Sequence, residues 1–119
     1  MPRRRRWRVR LSEAAERDFV AILQWTLVEF GRRQASVYRR TLIAALTDLS
    51  NDPYLPDSHP RDEIHVGLRS LHVARKGRRG RHFVLYRIVD DVTIDIVRIL
   101  YEAMDLGRHV PDDLPPARS

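Results

Sequence analysis

The strongest constraint on the fold comes from residues 81–105, which read RHFVLYRIVDDVTIDIVRILYEAMD. Two segments, residues 82–89 and 93–100, consist almost entirely of Val, Ile, Leu, Phe and Tyr, and they flank the pair Asp90 and Asp91. Such segments predict two strands whose faces are both at least partly covered. We therefore expect a hairpin at the centre of a sheet.

Each predicted strand contains one arginine, Arg87 in the first and Arg98 in the second. A buried arginine is costly unless it is paired or faces a cleft. One interpretation is that both pair with the nearby carboxylates, which are Asp90, Asp91 and Asp95. The other is that they join Arg69 and the neighbouring tyrosines Tyr86 and Tyr101 in a surface that binds phosphate, bases or a protein.

The N-terminal half predicts one strand and two helices. Residues 7–11 alternate apolar and basic side chains, which is typical of an edge strand. Ser12 suits a helix N-cap, and apolar residues recur at helical spacing up to Gly31, which suits a C′ position. A second helix follows as far as Asn51, and the short link predicts an antiparallel helical hairpin. The first helix has an apolar face so wide that either the second helix or a partner must cover it.

The C-terminal half predicts a loop over residues 54–66, a strand over 68–74 and a basic loop over 75–81, all before the central hairpin. A short helical turn and a tail follow from Glu102. The whole order predicts an α+β fold in which the helical hairpin packs on a small twisted antiparallel sheet. We expect one domain over residues 1–119, with a basic extension at residues 1–6 and a flexible tail at residues 110–119.

The net charge of +6 is unevenly distributed. Half of the 22 basic residues lie in two segments, residues 3–10 and 75–81, and the rest of the chain has 11 basic and 16 acidic residues. Clustered arginine suits a polyanion or an acidic partner, but it also suits a solvated tail and loop, and both interpretations stay open here.

Several classes of site and location are disfavoured by composition. With no cysteine, disulfides and thiolate zinc sites are excluded. The histidines show no metal-binding spacing, so we expect no metal and no cofactor. His72 and His82 could face each other across the basic loop, which is a weak signal by itself. No apolar segment approaches the roughly 20 residues that span a bilayer. We expect a cytoplasmic protein that does not bind membranes.

Four segments together resemble the RelE/ParE family of bacterial toxins, on the ParE side. They are WRVRLSEAAERDF at residues 7–19, GLRSL at 67–71, FVLYRIVDD at 83–91 and IDIVRILYEAMDLGRHVP at 94–111. The resemblance implies the same α+β fold and one half of a type II toxin–antitoxin pair. It also implies a ParD-like antitoxin as the partner in a hetero-oligomer, and contact with operator DNA only through that antitoxin.

The ParE branch implies a toxin that binds and poisons DNA gyrase without being an enzyme. The residues expected at the target are Arg69, Arg75, Lys76, Arg78, Arg79, Arg81, Arg87, Arg98, Tyr101, Met104, Arg108 and His109. The apolar side chains expected at the antitoxin are Ala21, Trp25, Val28, Tyr38 and Leu42.

Two alternatives stay open. A RelE-like member would cut ribosome-bound mRNA. The residues that would provide acid–base catalysis and stabilise the phosphate charge are His72, Arg81, His82 and Arg87. The RelE-like catalytic arginines, however, would align at Phe83 and near Ala103, which favours the ParE branch. A third possibility is a non-toxic member that acts only in the antitoxin complex and in autoregulation of its operon.

Overall fold

The structure is a computed structural model that describes residues 6–111 and 114. Within these residues, five strands, one long helical element and one 3₁₀ helix follow each other. In order they are β1 (Arg8–Leu11), α1 (Glu13–Asn51), β2 (His59–Pro60), β3 (Leu68–His72), β4 (His82–Ile88), β5 (Thr93–Tyr101) and the 3₁₀ helix Leu106–His109.

The element α1 consists of two arms that meet at Gly31. Its first turn is capped by Ser12, whose side chain accepts the Ala15 N–H at 3.0 Å. Gly31 has φ 89° and ψ 176°, a backbone conformation that glycine adopts without a steric cost. An unbroken helix of 39 residues would be about 58 Å long. The largest dimension of the molecule is 42 Å, so the chain reverses at Gly31. The predicted helical hairpin is confirmed, with arms at residues 13–30 and 32–51.

The sheet has the order β1-β5-β4-β3-β2, with the predicted β4–β5 hairpin at its centre. β1 is an edge strand, as predicted, but it runs parallel to β5, from Arg8 beside Thr93 to Leu11 beside Ile96. The α+β architecture is therefore confirmed, whereas the prediction of a wholly antiparallel sheet is wrong. A parallel pair requires a long crossover, and α1 with β2, β3 and β4 provides it here.

Strand β2 was not predicted, because residues 54–66 were expected to form a loop. It is only two residues long, and it pairs with β3 through His59 opposite Ser70. Two residues are too few to produce an alternating pattern, and a proline is tolerated only at such an edge position. Strand β3 also ends at His72, two residues earlier than predicted.

Both faces of the sheet are covered. On one face the arms of α1 pack on a core cluster that includes Leu42, Leu49, Tyr86 and Ile96. The opposite face holds a second cluster, consisting of Leu68, Leu85, Val97, Leu100 and Val110. Leu100 reaches this second face together with Val97 because the register of β4 and β5 shifts between Leu85 and Tyr86, where Val97 has no partner on β4. Val110 brings the first residue of the predicted tail into the second core. The rest of that tail beyond residue 111, except Leu114, and the N-terminal residues 1–5 lie outside the described part of the chain.

Candidate functional site

A group of polar and aromatic side chains surrounds the end of the sheet where β3 and β5 finish and β4 begins. We call this group the sheet-end cluster; it comprises Tyr38, His72, Arg81, His82, Tyr101 and Glu102. Neighbouring positions in a strand point to opposite faces. His72 lies opposite Phe83 in the register, so it is not directly opposite His82 as expected. His72 packs edge-on against the Phe83 ring at 4.8 Å, whereas His82 packs against Tyr38 of α1.

The His72 ring is held at both nitrogens. Its Nδ1 accepts the Ala74 backbone N–H at 3.0 Å, so the ring proton is on Nε2. Nε2 lies 2.7 Å from Glu102 Oε2, to which it donates. Arg81 Nη1 approaches the other Glu102 oxygen at 3.4 Å. The hydrogen bond from His72, together with the charge of Arg81, holds the pKa of Glu102 below its usual value.

The His82 ring is held by Tyr38. The Tyr38 hydroxyl accepts the Arg81 backbone N–H at 3.0 Å and donates to His82 Nδ1 at 2.6 Å. Burial raises the pKa of Tyr38, and burial with the nearby His72 lowers the pKa of His82. The raised pKa keeps the proton on the tyrosine, and because the Tyr38 hydroxyl already accepts from Arg81, we assign that proton to the hydrogen bond with His82 Nδ1. Neither imidazole therefore presents a lone pair to a substrate in this arrangement.

The basic loop, residues 75–81, is anchored at its first residue. Arg75 donates to Asp57 at 2.7 and 3.0 Å and also binds Asp48. The hydrogen bond from Arg75 lowers the pKa of Asp57, and that bond raises the pKa of Arg75. At the far end of the loop, Gly80 packs so closely that a Cβ atom there would overlap the Val73 side chain. The tip of the loop, with Arg78 and Arg79, is exposed on this fixed base.

Arg98 forms an internal ion pair. Its Nε and Nη2 donate to the two carboxylate oxygens of Asp18 at 2.7 and 2.8 Å, and its Nη1 donates to the His109 carbonyl at 3.1 Å. Asp18 also accepts the Ile99 N–H at 2.9 Å. One of the two interpretations paired Arg98 with the hairpin carboxylates Asp90, Asp91 and Asp95, but its partner is Asp18 of α1. β1 ends beside Ile96, so the edge of β5 is open at this point and α1 supplies the partner.

Arg87 and Arg69 also lie inside the fold. Arg87 is only 2% exposed and lies opposite Asp95, whose charge supports it while burial lowers the pKa of Arg87. Arg69 donates to Ser58 Oγ at 2.7 Å and to the Tyr86 hydroxyl at 3.3 Å. With Arg75, four of the arginines expected at the target thus have their guanidinium groups directed at the protein itself.

The chain after β5 leaves several of the predicted target residues at the surface. Tyr101 and Met104 are exposed beside the sheet-end cluster. Arg108 is exposed too, and its Nε lies 3.4 Å from Asp105. The side chains that remain available near this end of the sheet are Lys76, Arg78, Arg79, Arg81, Tyr101, Met104 and Arg108. His109 is half-buried, and its carbonyl is the acceptor of Arg98.

The first arm of α1 exposes a large apolar surface. We call it the first-arm apolar patch; it comprises Val20, Ala21, Trp25, Leu27, Val28 and Phe30. Trp25 is 57% exposed and Val28 is 80% exposed, and the Trp25 and Phe30 rings meet edge-on at 5.6 Å. Of the residues predicted to contact the antitoxin, some are exposed in this patch and others lie inside the fold. Leu42 is fully buried in the core and Tyr38 is bonded to His82, so only the predicted residues on the first arm are available at the surface.

Sequence reasoning missed Glu102 and Asp18, although both organise the site. Nothing in the local pattern marks them, because their partners His72 and Arg98 are 30 and 80 positions away in the chain. Within residues 6–111 and 114 no three His, Asp or Glu side chains are placed to hold a metal ion. In the same part of the chain, no helix has the length and apolar character needed to cross a membrane.

Comparison with known proteins gives a consistent result. Residues 9–106 match the family model described as ParE toxin of the type II toxin–antitoxin system parDE. The protein named Toxin ParE1, from two strains of Mycobacterium tuberculosis, is 33% identical over 100 residues, which cover 84% of this chain and 94% of the relative.

Two solved structures are similar in fold. One belongs to the chromosomal ParDE toxin–antitoxin system from P. aeruginosa, with a TM-score of 0.66, 20% identity and coverage of 82% of this chain and 97% of that one. The other belongs to the RelBE2 toxin–antitoxin complex from Mycobacterium tuberculosis, with a TM-score of 0.53, 28% identity and coverage of 81% and 98%. The family model spans most of the chain, and the chain therefore belongs to the ParE toxin family of type II toxin–antitoxin systems.

Proposed function

We propose that this ParE family toxin acts by binding DNA gyrase and inhibiting it, and that a ParD-like antitoxin neutralises it. The observation that carries the binding mode is the state of the two histidines. General base catalysis needs a basic nitrogen within reach of the proton that it removes. In the sheet-end cluster, Ala74 and Tyr38 occupy the basic nitrogens of His72 and His82. This arrangement supports recognition of a target rather than chemistry on it.

The target surface that we propose consists of the exposed side chains around the sheet-end cluster. Arg81 and Arg108 supply cations, and Tyr101 and Met104 supply apolar contacts. Arginine and aromatic side chains are the residue types that most often dominate the energy of a protein interface. The basic loop continues this surface. Four of the arginines expected at the target lie beneath this surface instead, because their guanidinium groups bind the protein's own residues. They are Arg69, Arg75, Arg87 and Arg98.

The antitoxin contact that we propose is the first-arm apolar patch. An exposed patch of this kind on a small protein is typical of an interaction site. An amphipathic helix or an extended segment of the antitoxin would cover Trp25, Val28 and Phe30 and form a hetero-oligomer. The resemblance in fold to proteins from a ParDE system and from a RelBE2 complex supports such a partner. Binding of operator DNA in that complex would be contributed by the antitoxin.

A plasmid supercoiling assay with purified gyrase tests the proposal. We expect the protein to inhibit supercoiling and the antitoxin to reverse the inhibition. For the double variant Arg81→Ala/Arg108→Ala, about tenfold more protein should be required for the same inhibition, because arginines at the centre of an interface contribute strongly to binding. The control is Arg8→Ala, an exposed arginine on β1 at the other end of the sheet. Gyrase that works normally at a large excess of folded protein would overturn the proposal.

The ribonuclease alternative retains one supporting observation, which is that His72, Arg81 and His82 do lie together. Arg87, the fourth residue of that set, is five residues further along β4, about 17 Å away. Cleavage of ribosome-bound mRNA that falls steeply in Arg81→Ala, with gyrase unaffected, would establish this alternative. If expression without antitoxin leaves growth unchanged, the protein is instead a non-toxic member that acts in the complex alone.

A further inference from the structure

A second positively charged surface lies on the side of the molecule formed by the second arm of α1 and the basic loop. Here Arg39 and Arg40 of the arm and Arg78 of the loop line an open groove of about 420 Å³. The floor between them is formed by Ile43, Ala44 and Thr47. The groove is built from two elements far apart in the sequence, and the anchoring of the loop through Arg75 keeps them in place.

The helix extends this line of charge beyond the groove. Residues seven apart lie on the same face of a helix, so Arg32 and Arg33 continue the row of Arg39 and Arg40. Seven residues correspond to about 10 Å along the axis. On the loop side, Arg79 and Lys76 are exposed next to Arg78.

The charges of this surface are not neutralised by neighbours. None of the arginines at positions 32, 33, 39, 40, 78 and 79 makes a side-chain hydrogen bond or an ion pair with the described residues. The carboxylate that lines the groove is Asp48, and Arg75 and Lys76 already bind it. Like charges that converge without counter-charges repel each other, and an anionic ligand would relieve this repulsion.

We propose that the groove binds the phosphodiester backbone of a nucleic acid directly, without regard to its sequence. Each strand of duplex DNA carries one charge per about 3.4 Å of axis, so a 10 Å row of arginines spans about three phosphates of one strand. Planar guanidinium groups bind phosphate oxygens in a two-pronged manner, and every basic residue that lines the groove is an arginine. The groove offers only backbone contacts, since no aromatic side chain lines it to stack on a base.

Other anionic partners fit the surface less well. A helix that lies on a membrane needs bulky apolar side chains along the edge of its basic face. On the second arm that edge offers Val37 and Ile43, which are only 39% and 36% exposed, whereas the largest exposed apolar side chains of α1 are on the first arm. An acidic peptide needs an enclosed pocket for an anchoring side chain, whereas this groove is open.

This inference goes beyond the proposed function, because it requires neither gyrase nor the antitoxin. It also departs from the expectation that operator DNA is contacted only through the antitoxin. In the toxin–antitoxin complex the groove would add a contact that is independent of sequence to whatever contact the antitoxin makes.

The test is fluorescence anisotropy of a labelled 20-bp DNA duplex with the purified protein alone, at salt concentrations from 50 to 200 mM. Labelled single-stranded RNA of the same length distinguishes the two sources of the phosphodiester backbone. We expect the logarithm of the association constant to fall linearly as the logarithm of the salt concentration rises. In Arg39→Ala/Arg40→Ala the slope should fall by about 2 and the affinity at 50 mM salt by about tenfold.

The control variant is Arg8→Ala/Arg17→Ala, which removes the same charge from exposed positions outside the groove. Alanine keeps the helix at positions 39 and 40, and circular dichroism checks that both variants are folded. Equal losses in both variants would overturn the proposal, because total charge would then account for binding. The absence of nucleic-acid binding at 50 mM salt would also overturn it. The same holds if Arg39→Ala/Arg40→Ala weakens binding only to anionic vesicles or to polyglutamate, measured in parallel, and not to nucleic acid. Neither mutated groove residue belongs to the proposed gyrase surface, so a failure here leaves the supercoiling result intact.

Discussion

At the scale of single residues, the main finding is that the charged side chains inside the sheet serve the fold. Arg98 joins three elements, because it binds Asp18 of α1 and the His109 carbonyl of the 3₁₀ helix from its position in β5. Asp18 in turn satisfies the Ile99 N–H at the open edge of β5. Each of these groups would be costly if it were left alone.

Removing Asp18 should therefore destabilise the protein strongly. In Asp18→Ala the guanidinium of Arg98 loses its counter-charge and the Ile99 N–H loses its acceptor, so we expect a loss of about 3 kcal/mol in the free energy of unfolding. Urea denaturation followed by circular dichroism measures it. Asp18→Asn keeps an acceptor and should lose less. Glu29→Ala, at an exposed position of the same arm, should change stability by less than about 0.5 kcal/mol. An equal, small loss in Asp18→Ala and Glu29→Ala would contradict this role.

At the scale of elements, the second arm is attached to the sheet by polar bonds at its edge as well as by the core. The Tyr38 hydroxyl bonds to both Arg81 and His82 at the start of β4, and Asp48 binds Arg75 of the basic loop. These contacts hold the basic loop between the second arm and the sheet. They therefore determine the geometry of both proposed binding surfaces.

The Tyr38–His82 bond predicts a dependence of stability on pH. Burial lowers the pKa of His82 below its ordinary value of 6.5, so the folded protein binds this proton less readily than the unfolded chain does. The stability contributed by neutral His82 is complete above that ordinary value and is lost as the pH falls through it towards the folded pKa. We expect the melting temperature to drop between pH 7.5 and pH 5.5, and to drop less in His82→Asn.

The control for this measurement is His59→Asn, at an exposed position of β2. Its melting temperature should drop between pH 7.5 and pH 5.5 by as much as that of the natural protein. The window stays above pH 5 because Asp57 and Glu102, whose pKa values are lowered by Arg75 and His72, lose their contribution at more acidic pH. A drop in His82→Asn as large as that of the natural protein would assign the effect to other groups.

At the scale of the whole molecule, the two arms of α1 differ in which of their apolar side chains are buried. The second arm inserts Leu42, Ala45 and Leu49 into the core and carries arginines on its outer side. The first arm leaves Trp25 and Val28 exposed. The basic loop joins the sheet-end cluster to the groove of Arg39, Arg40 and Arg78, whereas the first-arm apolar patch lies on the other arm, so one small domain offers surfaces for more than one partner.

Two substitutions separate binding from stability on these arms. Val28→Glu places a charge in the first-arm apolar patch, so we expect unchanged stability and antitoxin affinity at least tenfold weaker by calorimetry. Leu42→Ala opens a cavity in the core and should cost about 3 kcal/mol of stability while the folded fraction binds antitoxin normally. Normal antitoxin affinity in folded Val28→Glu would show that the patch is not the contact.

The local pattern of the sequence determined the parts of this protein that depend on neighbouring residues. The β4–β5 hairpin, the Ser12 cap and the reversal at Gly31 follow from side-chain periodicity and from backbone freedom, which act over a few positions. The apolar segments also placed the centre of the sheet correctly. The exposure of the arginines in the basic loop was also consistent with the pattern, and their role as a binding surface stays a prediction.

Only the tertiary structure decided which distant groups meet. The parallel pairing of β1 with β5, the choice of Asp18 for Arg98, and the bonds of His72 with Glu102 and of His82 with Tyr38 all join residues that are 30 to 85 positions apart. The same packing brought Arg39 and Arg40 beside Arg78 and buried Leu42 while Val28 stayed exposed. The energies of these contacts depend on desolvation and on the geometry between elements, which periodicity along a chain does not contain.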